Sequence, residues 1–204
     1  MLSVTLTALV ALAISTPTTA ADRVLSVGGS VTEIVYALGE GDRLVARDST
    51  SSFPDSAVKL PDVGYMRALA PEGVLSVNPD LIIAEEGSGP QETIDVLREA
   101  QIDFVTIPDG FSAEAVQIKI EAVAKALGVE ERGKELADKT LSSIKAAALD
   151  ATREDRKRVI FILSTRGGRI LASGTNTAAD GIILLAGATN VISDFEGYKL
   201  LTDE

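Results

Sequence analysis

Short apolar segments alternate with segments of helical period along most of this chain, and this alternation constrains the fold more than any other feature. Strands that alternate with helices form parallel βαβ units, so the sequence predicts a layered α/β fold. The predicted strands are Val24–Val27, Leu44–Arg47, Leu81–Ala84, Phe104–Ile107, Val159–Leu163 and Arg169–Ala172. The predicted helices are Leu69–Val77, Gln91–Ala100, Ala113–Leu127, Thr177–Ala186 and one that ends at Leu38 after a cap at Ser30 or Thr32.

One predicted helix, from Glu130 to Arg158, is longer than the others and has few apolar residues. Such a helix suits a rigid connector between two lobes of βα units, although an ordinary surface helix of one domain has the same periodicity. The predicted organisation is a signal peptide at 1–21, an N-terminal α/β lobe at 22–128, the connector helix at 129–158 and a partial C-terminal α/β lobe at 159–204. The C-terminal lobe is expected to be truncated, because two strands and one helix expose sheet edges and bury little core.

The first segment, Met1 to Ala20, is uncharged and is apolar from Leu2 to Ile14. Small residues follow at plausible cleavage positions, which is typical of a secretory signal peptide, although the usual basic start is missing. The alternative is a membrane anchor, but the apolar run is short for a membrane span. The segment therefore predicts export and a mature chain without an integral membrane span.

Histidine and cysteine are both absent, and their absence excludes many chemistries. Zinc sites built on these residues, Ser-His-Asp and Cys-His catalysis, iron–sulfur clusters and haem held by His or Cys are all impossible. The net charge of −11 argues against binding to nucleic acid or to anionic lipid, which need a basic surface.

Tyr65 lies in a loop, Asp62 to Leu69, that follows a proline and precedes a predicted helix. Parallel α/β folds bind ligands in loops at the carboxyl edge of the sheet. Only tyrosine and methionine of this chain can ligate haem iron, and ferric haem suits a phenolate. A tyrosine pKa is near 10, and a cation such as Arg67 would favour the ionised form. Tyr65 is thus a candidate ligand, although a surface-loop tyrosine beside an exposed arginine is the plainer interpretation.

Other features have plainer interpretations. Tyr36 lies on a predicted helix beside apolar residues and is expected to pack in the core, whereas Tyr198 is expected in a loop of the C-terminal lobe. The Gly28-Gly29 pair before a helix could bind an anion through backbone N–H groups, but a simple strand-to-helix turn is the default.

Three parts of the sequence resemble a known family. The run Val24–Gly39 resembles the opening of periplasmic binding proteins for haem, cobalamin and siderophores, and Leu69–Ala84 is similar to the stretch before their third strand. Val63–Leu69 together with Gly174–Asp180 resembles the haem branch in particular. The resemblance implies two lobes joined by one long helix, and a periplasmic protein that captures haem in the cleft and delivers it to an ABC importer permease.

The resemblance also assigns roles to particular residues. Tyr65 would be the proximal iron ligand, and Arg67 would support its phenolate. The lobes of this family each present a glutamate to arginines of the permease. Glu72 matches the first, and Glu204 falls about where the second is expected, although glutamates at helix starts also interact favourably with the helix dipole. Some haem binders carry a histidine over the other haem face. Here residues 163–168 occupy that stretch, so the sixth position would be empty, filled by water or shielded by Arg166.

The candidate partners of the haem propionates are Arg47, Arg166 and Arg169. Three alternatives stay open at this point. The cargo could be cobalamin or a ferric siderophore, or the chain could be an α/β enzyme such as a metal chelatase that uses Asp48, Glu85 and Glu86 as acids and bases. The chain could also bind nothing because its cleft is incomplete.

Overall fold

The computed structural model describes residues 21–151 and 156–201, so nearly all of the predicted signal peptide lies outside the described residues. The strands of the N-terminal lobe are β1 (Val24–Val27), β2 (Leu44–Arg47), β3 (Leu81–Glu85) and β4 (Asp103–Ile107). Its helices are α1 (Gly29–Ala37), α2 (Pro71–Ser76), α3 (Gln91–Glu99) and α4 (Ala113–Leu127). The strands form one parallel sheet in the order β2-β1-β3-β4, which confirms the predicted α/β class.

Helices cover both faces of this sheet, and two groups of buried side chains form the core. One group joins α1 and α4 to the sheet and includes Val24, Val31, Ile83 and Val123. The other joins α2 and α3 to it and includes Leu25, Val74, Ile82 and Leu97. Burial of one such side chain contributes about 1.5–3 kcal/mol, so the loops at the carboxyl edge extend from a firmly packed sheet.

The start of α1 differs from the prediction, because neither Ser30 nor Thr32 caps it. The cap position is Gly28, which offers no side chain, and the helix begins at Gly29. The Ser30 hydroxyl donates to Glu85 Oε2 at 3.0 Å, and the Thr32 hydroxyl lies 2.7 Å from that of Ser51. Both hydroxyls thus bind other elements of the lobe instead of the helix backbone.

The long helix α5 (Glu130–Ala151) packs along α4 at the edge of the N-terminal lobe. The two helices meet closely at Gly133, where an added Cβ would collide with Ala124. The helix was predicted to reach Arg158, and this is wrong, because Arg158 begins a strand instead. Lys157, the residue before Arg158, is also paired with another strand, because its carbonyl accepts from the amide of Thr189 at 2.8 Å.

The described part of the C-terminal lobe, residues 156–201, consists of short strands, one α-helix and a short 3-10 turn. Strands β5 (Arg158–Val159) and β8 (Thr189–Asn190) form a parallel pair. Strands β6 (Ile162–Ser164), β7 (Leu171–Ser173) and β9 (Tyr198–Leu200) form an antiparallel sheet in the order β6-β7-β9. Helix α6 (Ala178–Leu185) follows β7, and the Thr177 hydroxyl caps it by accepting from the amide of Asp180.

Three predictions for this lobe were wrong in detail. The single strand predicted at 159–163 is two strands, β5 and β6, because the chain leaves one hydrogen-bonded ladder and joins another. The strand predicted at 169–172 begins two residues later, after a short 3-10 turn at Arg166–Gly168. Tyr198 lies in β9 and not in a loop, because its segment pairs with β7.

The two lobes approach each other where α6 meets the loop before α4. Gly181 of α6 faces Phe111, and a Cβ at Gly181 would collide with the Phe111 carbonyl. Near this contact, residues of α5 and α6 line an open cavity of about 540 Å³. Among the described residues, no helix is long and apolar enough to cross a membrane.

Candidate ligand-binding site

The loop that carries Tyr65 lies beside the carboxyl end of β2. Asp62 forms an isolated parallel bridge with Arg47, the last residue of β2, so this part of the loop runs alongside the strand. The edge to which β2 points is the edge where parallel α/β folds bind ligands. The fold thus positions Tyr65 at an edge suited to binding.

Two buried side chains hold the Tyr65 loop at its ends. Val63 is 8% exposed and Leu69 is 4% exposed, and both belong to the core below the sheet edge. Between them, Met66 is partly buried, whereas Arg67 is exposed and Tyr65 is 48% exposed. The loop therefore presents Tyr65 and Arg67 outward while its own ends are part of the core.

Backbone hydrogen bonds fix the loop from both sides. The amide of Ser49 donates to the carbonyl of Gly64 at 2.9 Å, and the amide of Gly89 donates to the carbonyl of Met66 at 2.9 Å. Gly64 has φ 104°, a left-handed conformation that favours glycine. Within the described residues, the Tyr65 hydroxyl makes no hydrogen bond, so a well-held backbone carries a phenol that is free to meet a ligand.

The end of this loop also explains why α2 is shorter than predicted. The predicted helix began at Leu69, but the observed helix begins at Pro71. The amide of Leu69 donates to the carbonyl of Gly89 at 2.9 Å, and its own carbonyl accepts from the Thr93 hydroxyl at 2.9 Å. These bonds to Gly89, which precedes α3, and to Thr93 of α3 hold Leu69 outside the helix.

Arg47, a predicted propionate partner, is engaged within the protein. Its Nη1 donates to Asp62 Oδ2 at 2.9 Å and to the carbonyl of Asp48 at 3.0 Å. Its side chain is only 12% exposed. Direct contact between Arg47 and a propionate stays a prediction.

Arg166 and Arg169, the other two predicted propionate partners, lie at the tip of the hairpin formed by β6 and β7. Both side chains are exposed. In the part of the chain that the structure describes, neither guanidinium makes an ion pair or a hydrogen bond, and none joins this tip to the Tyr65 loop. Their approach to a bound ligand stays a prediction.

Asp48 organises the turn at the carboxyl end of β2. It is fully buried, and its carboxylate accepts from the amide of Gly28 at 2.9 Å, from the Thr50 hydroxyl at 2.7 Å and from the Ser51 hydroxyl at 2.7 Å. The amide of Gly28, a weak candidate for anion binding, is therefore bound to the protein's own carboxylate. The signal for this turn was present in the sequence, because Asp followed by Ser and Thr favours side-chain-to-backbone bonds.

Lys119 of α4 was not predicted to matter, yet it is 7% exposed and joins the ends of two strands. Its Nζ donates to Asp109 Oδ1 at 2.7 Å, to Glu85 Oε1 at 2.9 Å and to the Ser30 hydroxyl at 3.1 Å. Burial alone would lower the pKa of Lys119, but its bonds to Asp109 and Glu85 outweigh burial and raise that pKa. The ammonium group thus stays charged and ties α4 to the sheet edge.

The carboxylates considered for acid–base chemistry all have structural bonds. Asp48 and Glu85 are held as described above, and Glu86 Oε2 accepts from the amide of Asp109 at 3.2 Å. For Asp109, burial would raise the pKa, but the hydrogen bond and the charge of Lys119 outweigh it and hold that pKa below its ordinary value. These groups act as ties between loops, and their arrangement gives the enzymatic alternative no support.

Of the two glutamates expected to contact a permease, only Glu72 lies among the described residues. Glu72 lies in the first turn of α2 and is exposed. Glu204 lies outside the described residues. Among the described residues, no group of three His, Cys, Asp or Glu side chains could hold a metal ion.

The segment Gly174–Asp180 forms a buried polar network in the C-terminal lobe. Asn190 Nδ2 donates to Asp180 Oδ1 at 2.9 Å and to the carbonyl of Gly174 at 3.2 Å. Asp180 Oδ2 in turn accepts from the amide of Asn176 at 3.2 Å. The network fixes the turn between β7 and α6, and sequence reasoning missed Asn190 because its partners lie in a different segment.

A parallel sheet covered on both faces, a long helix, a smaller second lobe and an exposed tyrosine at the sheet edge together define a ligand-binding protein of two lobes. Residues 24–203 match the Peripla_BP_2 family, described as periplasmic binding proteins. The chain belongs to this family of periplasmic binding proteins, as its sequence resemblance predicts.

Solved structures agree with this assignment. The chain superposes on the periplasmic haem-binding protein RhuT from Roseiflexus sp. RS-1 with a TM-score of 0.84 and 37% identity, covering 89% of this chain and 70% of that one. It superposes on the periplasmic haem-binding protein BhuT, solved with two haems, with a TM-score of 0.82 and 38% identity, covering 88% and 70%.

A curated relative differs from these structures in its named ligand. The vitamin B12-binding protein of Yersinia pseudotuberculosis serotype O:1b is 30% identical over 178 residues, which cover 87% of this chain and 62% of that protein. The chain spans between 59% and 62% of the length of the first curated relatives it matches.

Proposed function

We propose that this chain captures haem at the sheet edge beside Tyr65 and belongs to a periplasmic protein that delivers haem to an ABC importer permease. The observation that carries the proposal is the Tyr65 loop, whose ends are buried and whose backbone is fixed, while the phenol is 48% exposed and unbonded within the described residues. A ferric iron needs such an oxygen ligand held in place, since the chain has no histidine or cysteine to replace it.

Charge supports a haem cargo as well. Haem carries two propionates, and three exposed arginines without partners among the described residues are available to them: Arg67, Arg166 and Arg169. Arg67 follows Tyr65 by two residues and would also favour the phenolate. Two similar solved structures, RhuT and BhuT, are named as haem-binding proteins.

The proposed role is capture and delivery without catalysis. The carboxylates nearest to the strand ends are bonded to backbone amides, hydroxyls and Lys119, which supports a structural role for them. Glu72, exposed in the first turn of α2, is the proposed contact with the permease, and the periplasm is the proposed compartment because the family is one of periplasmic binding proteins.

Cobalamin is a second candidate cargo, because the Yersinia relative is named as a vitamin B12-binding protein. Cobalamin carries its own axial ligand in its free form, so its capture would not depend on a tyrosine oxygen. The dependence of binding on Tyr65 therefore separates the two candidates.

The test is an absorbance titration of the 204-residue chain with ferric hemin, run beside Tyr65→Phe and the control Tyr198→Phe. Tyr198 is 40% exposed, so the control removes a hydroxyl of similar accessibility. We expect saturable binding by the parent chain and by Tyr198→Phe. Mutation of a residue that supports a metal ligand typically lowers metal affinity by about 10- to 100-fold. Because Tyr65→Phe removes the proposed ligand itself, we expect its hemin affinity to fall by at least that much.

Equal hemin affinity in Tyr65→Phe and the parent chain would contradict the role of Tyr65. Saturable binding of cyanocobalamin with no saturable response to hemin would replace haem by cobalamin as the cargo.

A further inference from the structure

We propose that Arg47 and Asp62 form a positioning pair that sets the place of the Tyr65 phenol, so that Arg47 acts through Asp62 and not through a haem propionate. The inference rests on the proposed role of Tyr65 as the iron ligand. It assigns to the two residues a function that neither the sequence pattern nor the named relatives supply.

The side chains form a continuous link from the sheet to the residue that precedes Tyr65. Arg47 Nη1 donates to Asp62 Oδ2 at 2.9 Å, and Asp62 Oδ1 accepts from the amide of Gly64 at 2.8 Å. One carboxylate thus uses one oxygen for the end of β2 and the other for the turn that introduces Tyr65. Charge-assisted bonds of this kind are the stronger ones in proteins.

Backbone hydrogen bonds also join the end of β2 to the segment around Asp62. The amide of Arg47 donates to the carbonyl of Pro61 at 2.9 Å, and the amide of Val63 donates to the carbonyl of Arg47 at 3.0 Å. The bonds reach Gly64, whose φ is 104° and whose carbonyl accepts from the amide of Ser49 at 2.9 Å. The Asp62 carboxylate accepts from the amide of Gly64, so it acts together with the backbone bonds in placing Tyr65.

Burial separates Arg47 from the other candidate arginines. The side chain of Arg47 is 12% exposed, whereas that of Asp62 is 41% exposed. Its Nη1 also donates to the carbonyl of Asp48 at 3.0 Å, which directs the guanidinium into the protein. Because this guanidinium is buried and its charge is balanced by Asp62, we expect it to bind a carboxylate from solvent only weakly.

The test compares hemin affinity in Arg47→Ala, Asp62→Ala and the double variant, with Asp55→Ala as the control. Asp55 is an exposed acid in the same connection between β2 and α2. A positioning pair predicts that both single variants lose about 10- to 100-fold in affinity. The double variant should lose no more than either single one, because the pair acts as a unit.

A direct propionate contact predicts a different pattern. Removal of Asp62 would then release the guanidinium and maintain or increase affinity, and the loss in Arg47→Ala would disappear with haem dimethyl ester, which has no free propionates. A positioning pair predicts that the loss persists with the ester. Asp62→Asn, which keeps the size of the side chain, replaces Asp62→Ala if circular dichroism shows that the latter does not fold.

The Tyr65→Phe background separates this inference from the proposed function. If the pair acts by placing Tyr65, Arg47→Ala and Asp62→Ala have no further effect once the phenol oxygen is gone. Parent binding that does not depend on Tyr65 would overturn the proposed function and this inference together. Binding that depends on Tyr65 but is unchanged by Asp62→Ala would overturn this inference alone.

Discussion

The two lobes hold their candidate ligand-binding residues in different ways. In the N-terminal lobe, Tyr65 follows a buried valine and precedes a buried leucine, and bonds to two neighbouring segments fix its loop. In the C-terminal lobe, Arg166 and Arg169 lie at the tip of a short hairpin whose apolar residues are largely exposed, including Ile162 at 45% and Leu163 at 53%. Under the proposed function, the first lobe would supply an oxygen ligand on a fixed backbone, and the second would supply arginines on a less buried hairpin.

The largest expected effect concerns core packing. Leu97 of α3 is fully buried, whereas Leu184 of α6 is 55% exposed. Leu97→Ala should lower the free energy of unfolding by about 2–5 kcal/mol because it leaves a cavity, and Leu184→Ala should change it by about 0.5 kcal/mol or less. Urea unfolding followed by circular dichroism measures both, and similar losses would remove the contrast between the lobes.

A smaller effect is expected from the backbone of the two loops. Gly64 has φ 104° and Gly167 has φ 67°, and neither has an atom close to where a Cβ would be placed. Replacement by alanine should cost about 1–2 kcal/mol of stability at either position. Only Gly64→Ala should also weaken hemin binding, because it disturbs the turn before Tyr65. An equal loss of hemin affinity in Gly167→Ala would show that the hairpin tip is as constrained as the Tyr65 loop.

The smallest effect concerns pH and the tie made by Lys119. The pKa of Asp109 is held below its ordinary value, so its ionised form favours the folded state. This contribution is present above about pH 4, near the unfolded pKa, and is lost as pH falls through the lower folded pKa. Since Asp109 is partly exposed, we expect less than about 1 kcal/mol.

Urea unfolding at pH 7 and pH 3 checks this prediction. Asp109→Asn should lose less stability than the parent chain between the two values, because the amide cannot be protonated. A larger loss in the variant would show that the Lys119 tie does not depend on the charge of Asp109.

The same contrast explains how much the sequence alone could predict. Strands of a parallel sheet that helices cover on both faces are rich in apolar residues, and the four strands of the N-terminal lobe were predicted to within one residue. The run at 159–163 looked the same, but the chain there moves from β5 to β6. That change depends on partners in β7 and β8, which local periodicity does not encode.

The candidate site follows the same rule. Tyr65 could be named as a candidate ligand because its chemistry is rare in this chain and its loop lies between recognisable elements, and its role stays a prediction. The bond between Asp62 and Arg47 could not be predicted, since the two residues are fifteen apart in the chain and the bond exists only after β2 has formed. Lys119 is a further case, because its partner Glu85 is 34 residues distant in the chain.

The meeting of Gly181 with the Phe111 carbonyl has a mechanical consequence. Because Gly181 has no side chain, the backbone of α6 approaches the Phe111 carbonyl closely, and there is no room for a side chain between the two segments. A tilt that brings α6 closer to the loop before α4 would therefore force backbone atoms together, so the contact limits how closely the two segments can approach.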